Sequence, residues 1–110
     1  MKWYKFNLTD YYKATAHIGD ADDLCYRRLI DLYYLSENPI KNDLTAISQH
    51  IKMDPEVVLG VLEEFFTLTE EGWVHEEIQE DVDRRLARSL VNRQSGSMGG
   101  RPPKAPKDLN

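Results

Sequence analysis

The run Met53-Asp54-Pro55-Glu56, standing before an apolar-periodic stretch that ends at Phe66, constrains this chain more than any other segment. Aspartate is a preferred N-cap, and proline fits the first helical position because its missing N–H has no partner there anyway. The pair therefore predicts a helix start. Val58, Leu59, Val61, Leu62, Phe65 and Phe66 form a broad apolar stripe, and Glu56, Gly60, Glu63 and Glu64 lie on or near the opposite face. A second helix one turn after a short first one is where many DNA-binding folds place their reading helix. This one carries three glutamates and no basic residue.

The rest of the chain organises around that segment. Trp3-Tyr4-Lys5-Phe6 reads as a strand or an extended arm against the core, and Asp10 to Ile18 as a brief helix led by Asp10. Gly19 and Asp20 open a helix of clear period, with Asp22 and Asp23 in the first turn, where the helix dipole favours negative charge. Cys25, Tyr26, Leu29, Leu32 and Tyr33 share its apolar face; Asp23, Arg27, Asp31 and Tyr34 share the other. Asp23–Arg27 and Arg27–Asp31 have the spacing of a surface ion-pair ladder. Pro39 ends that helix, and Asn42-Asp43 offers a cap for a third, from Leu44 to Lys52.

After Phe66, Thr67–Thr69 and Trp73–His75 read as two short strands joined by a three-residue loop, Glu70-Glu71-Gly72, with glycine at the left-handed position. A charged helix is then expected from Glu76 to about Arg93, with an apolar stripe of Ile78, Val82, Leu86 and Leu90 and the pairs Glu80–Arg84 and Asp81–Arg85. The fold class expected is mainly α with a small β-hairpin: a winged-helix-like domain over residues 1–92, helix-turn-helix plus wing, with a long C-terminal helix. The segment around Ile40 is the candidate third strand. Residues 93–110, rich in Gly, Ser and Pro, read as a disordered basic tail.

Charge divides the same way. Residues 1–83 hold seven Lys/Arg against eighteen Asp/Glu, a net of −11, and residues 84–110 hold seven Lys/Arg against one Asp, a net of +6. An acidic body with a basic end favours different partners at its two ends. Arg84, Arg85, Arg88 and Arg93 on the last helix, with Arg101, Lys104 and Lys107 beyond it, are the candidate DNA contacts, giving salt-sensitive affinity without sequence preference. Gly99-Gly100-Arg101-Pro102 also resembles the Gly-Arg-Pro core of minor-groove hooks, lacking the arginine before it. The candidate protein-interaction residues are Glu56, Glu63, Glu64 and Tyr34. An exposed Tyr34, or the apolar stripe of the last helix, would also serve a dimer contact.

Catalysis has no visible warrant. His17, His50 and His75 lie outside any ligand spacing, so no metal is expected, and there is no phosphate-cradling glycine loop or nucleophile elbow, so no cofactor is expected. Cys25, the single cysteine, falls on an apolar face and reads as a small core side chain, in keeping with a reducing cytoplasm. No apolar run approaches the ~18 residues of a membrane span, and the start has no signal-peptide pattern.

These residues together carry a family resemblance. Thr15, His17 and Ile18, then Tyr26-Arg27, Leu29-Ile30-Asp31, Tyr33-Tyr34, Glu37 and Pro39-Ile40, continue through Phe65-Phe66, Gly72-Trp73 and His75. The pattern resembles the YdaU-like phage and prophage proteins over about residues 3–85, together with the Gly-Arg-Pro element. Gly19 departs from the serine usual there, and Cys25 from the alanine. The resemblance implies a winged-helix-like domain in a bacterial host cytoplasm, encoded near phage replication genes, with no catalytic residues to carry across. It leads to an expected non-enzymatic accessory of DNA replication that docks a protein partner and touches DNA weakly through its basic end. The alternative is an acidic interaction or regulatory module, DNA-mimicking and without DNA affinity.

Overall fold

The computed structural model describes residues 4–98, with side chains described over residues 4–91. Five helices and one hairpin follow in the order α1 (Leu8–Thr15), α2 (Asp20–Ser36), α3 (Leu44–Ile51), α4 (Pro55–Phe65), β1 (Thr67–Thr69), β2 (Gly72–Val74) and α5 (Glu76–Met98). The chain is mainly helical with a small antiparallel sheet. It divides into two compact units after Gln79, within α5. Among the described residues no helix is long and apolar enough to cross a membrane.

Local chemistry sets the helix ends. The Asp54 side chain accepts from the Glu56 N–H at 2.9 Å and Pro55 opens α4, as the Asp-Pro pair predicts. Asp43 caps α3 through the Ala46 N–H at 3.1 Å. The cap of α1 is Asn7, accepting from the Asp10 N–H, so that helix starts earlier than a start at Asp10. Lys52 is not the last turn of α3 but its C-cap, left-handed at φ 60°. The Arg28 guanidinium donates to the Ile51 carbonyl at 2.7 Å, supplying a partner to an acceptor that the helix end leaves open. α5 runs to Met98, past the end expected near Arg93. Ser and Gly cost a helix only about 0.5–1 kcal/mol each, which does not force a stop.

In the first unit α2 packs on α4, and α3 packs on both. Cys25, Leu29, Tyr33, Val58 and Leu62 are wholly buried among them. Cys25 is thus the core side chain its position implied, and burial pushes its thiol up to about 11, away from the reactive thiolate.

The hairpin differs from its expectation in its second strand, which runs Gly72–Val74 rather than Trp73–His75. Gly72 lies opposite Thr69 in the strand pairing, leaving a two-residue turn, Glu70-Glu71. Its neighbour Trp73 exchanges two backbone hydrogen bonds with Ile40, at 2.9 and 2.7 Å, so the expected third strand is a single bridge. Gly72 has φ +123°, and a Cβ there would sit 2.2 Å from the Ile40 carbonyl oxygen. Glycine is needed for close approach as well as for φ. Trp73 is buried, with its indole N–H reaching the Asn42 side-chain oxygen at 3.3 Å.

Candidate functional site

The outer face of α4 is where the acidic expectation can be checked. Glu56 and Glu63 are exposed there, with Leu59 38 % exposed beside them. Gly60 completes the i, i+3, i+4, i+7 set, and a Cβ built on it meets nothing within 4 Å. Glycine inside a helix costs about 1 kcal/mol relative to alanine, and no neighbour among the described residues requires it. Glu64 points elsewhere, to the His17 imidazole, in a contact that ties α4 to the end of α1.

α5 carries the basic side chains. Arg84 and Arg85 both reach the Asp81 carboxylate, at 3.4 and 3.3 Å, and Arg88 is exposed one turn beyond Arg84. Arg84 takes Asp81 rather than Glu80 as its partner here. Exposed pairs of this kind contribute about 0–1 kcal/mol and yield readily to a competing anion. Leu86, Leu90 and Val91 are about half exposed on the same stretch. The side chains of Arg93, Arg101, Lys104 and Lys107 lie outside the described residues, as does the expected tail over 99–110.

Tyr34 is not an exposed contact residue. It is 8 % exposed and its ring stacks on Tyr4 at 4.0 Å with an interplanar angle of 4°. The helical period placed it on the polar face of α2, but the N-terminal arm crosses that face. Tyr4 donates to Asp31, Tyr11 donates to Asp23, and the Arg27 guanidinium sits over the Phe6 ring at 4.0 Å. The expected Asp23–Arg27–Asp31 ladder is therefore mostly recruited to hold the arm and α1, with Arg27–Asp31 remaining at 3.9 Å.

Beneath the arm is a polar pair that sequence reasoning missed. His75 is buried, and its Nδ1 accepts the Ile78 N–H at 3.3 Å, which makes the imidazole the cap of α5. A neutral imidazole has one donor and one acceptor, so Nε2 bears the proton and donates to the Tyr26 oxygen at 2.8 Å. Burial pulls the His75 pKa down and pushes the Tyr26 phenol up to about 12, so both are neutral near pH 7. Phe65 stacks on Tyr26 at 4.0 Å, and Phe66 meets His75 edge-on at 5.1 Å. Histidine is outside the usual capping set; the sequence signal was the acidic turn Glu76-Glu77 following it. A cavity of about 180 Å³ lies alongside, bounded by Tyr4, Tyr11, Tyr26 and His75 with Lys5, Asp10 and Glu77 at its walls. Among the described residues no group of His, Cys, Asp and Glu is placed to hold a metal ion.

The model of a protein family of unknown function, DUF1376, matches residues 2–83. The chain belongs to the DUF1376 family. The matched span of this DUF1376 chain ends where the acidic body ends, and the basic segment from Arg84 lies beyond it. No curated protein and no solved structure matches the chain.

Proposed function

We propose that this DUF1376 chain is a non-enzymatic accessory protein of phage or prophage DNA replication, acting in the bacterial host cytoplasm. Its winged-helix-like domain docks a protein partner through the outer face of α4, and its basic segment from Arg84 onward contacts DNA weakly. The observation that carries the reading is the partition of charge, −11 over residues 1–83 against +6 over residues 84–110. The order α2, Ile40 bridge, α3, α4, β1, β2 supports the winged-helix element. The phage and replication setting is supported by the YdaU-like pattern. In such a fold α4 holds the position of a DNA-reading helix, yet Glu56 and Glu63 would repel phosphate. DNA contact therefore passes to α5 and the residues after it.

Gel shift on duplex DNA at low salt tests this. Retardation should be lost when residues 93–110 are deleted and Arg84, Arg85 and Arg88 are changed to Gln. Unchanged retardation would sink the reading. The engagement of Arg84 and Arg85 by Asp81 favours one alternative, an acidic interaction module without DNA affinity. The absence of any shift for the unaltered chain would select it.

A further inference from the structure

We infer that the partner of the α4 outer face is the basic stripe of α5 in a second copy of this chain. The inference rests on reading that face as a protein-docking surface, and not on DNA contact. Three observations carry it. Glu56, Leu59, Gly60 and Glu63 form one exposed line on α4. Arg84, Ala87, Arg88 and Val91 form a line of the same i, i+3, i+4, i+7 spacing on α5, also exposed. Laid antiparallel, Glu63 meets Arg84, Gly60 meets Ala87, Leu59 meets the stem of Arg88 and Glu56 meets Val91, one helical turn from the Arg88 guanidinium. The charges are complementary and the small residues coincide at the crossing.

Gly60 is the independent observation. Its Cβ position is open space, so nothing among the described residues forbids a side chain there, and glycine weakens the helix that holds it. A helix approaching from outside supplies the missing reason, because backbones come closest where no Cβ intervenes. Phosphate is a poor occupant beside two carboxylates, whereas arginine is a good one. Each copy carries both lines, so a single contact joins two copies, α4 of one against α5 of the other. Each contact is a short helix pair with exposed ion pairs, which makes the dimer salt-sensitive. In it the acidic face occupies arginines that otherwise meet DNA.

Sedimentation velocity on the full chain, without nucleic acid, tests the pairing. The unaltered chain should sediment as a dimer or larger assembly at low salt and dissociate at high salt. Gly60→Leu should weaken the dimer by about tenfold or more while the monomer melts no lower, since leucine fits the open space and favours helix. Glu63→Arg and Arg84→Glu should each be monomeric alone and should form a mixed dimer when combined. A monomeric unaltered chain overturns the inference, as does a dimer indifferent to Gly60→Leu or a mixture that stays monomeric. Because DNA is absent, these outcomes are separate from the gel shift.

Discussion

Two glycine-to-alanine changes in this chain should move stability in opposite directions. At Gly72 the added methyl would stand 2.2 Å from the Ile40 carbonyl oxygen and 2.8 Å from its carbon, both backbone atoms. Neither can move aside alone, so the Ile40–Trp73 bridge must open. Its two hydrogen bonds, of 2.7 and 2.9 Å, contribute about 1 kcal/mol each. The φ of +123° adds about 1–3 kcal/mol for any residue with a Cβ. The loss is then about 3–5 kcal/mol, a large share of the ~5–15 kcal/mol that holds a domain together. At Gly60 the same methyl meets nothing, and the helix gains about 1 kcal/mol. Urea unfolding followed by circular dichroism reads both. A Gly72→Ala loss below about 1 kcal/mol would refute the close-approach argument, and destabilisation by Gly60→Ala would refute the open-space one.

Further outcomes follow from the buried pair and the caps. Because the folded-state pKa of His75 is depressed, its contribution to stability is full above the ordinary value of 6.5 and declines as pH falls below it. The slope reaches at most about 1.4 kcal/mol per pH unit for this one proton. Comparing urea midpoints from pH 7 downward, His75→Asn should remove that component while keeping a short capping acceptor; an unchanged slope would mean that His75 takes up its proton equally in the folded and unfolded states, against the burial argument. Asp54→Ala should cost about 1 kcal/mol through the lost Glu56 cap, and a change within a few tenths would show that Pro55 alone sets the helix start.

Much of the fold was legible because its cues are local. Asp54-Pro55, Asp43 and Gly19 stand next to the helices they begin, and a period of 3.6 residues gives Cys25, Tyr26, Leu29 and Tyr33 of α2 and Val58, Val61 and Leu62 of α4 as buried. Leu59, counted in the same α4 stripe, is exposed, and Ile30 is buried outside the apolar face read for α2. What was hidden depends on distant chain segments. The polar face of α2 looked exposed until Tyr4 and Phe6 were laid over Tyr34 and Arg27. Gly72 fitted a loop position equally well, and only the Ile40 backbone shows why glycine stands there. His75 and Tyr26 are 49 residues apart, and neither residue type announces a cap or a buried pair. The charge partition was readable at once, since it needs only the order of residues. The single carboxylate shared by Arg84 and Arg85 was half visible, from the i, i+4 spacing to Asp81.

The central proposal is that DNA contact belongs to the basic segment and not to α4. Fluorescence anisotropy of a labelled duplex, titrated with the chain across a range of salt, measures it most directly. Each phosphate neutralised contributes about 0.9 to the slope of log affinity against log salt. Replacing Arg84, Arg85 and Arg88 with Gln should therefore lower that slope by about 2–3. An unchanged slope in the triple variant would contradict the account.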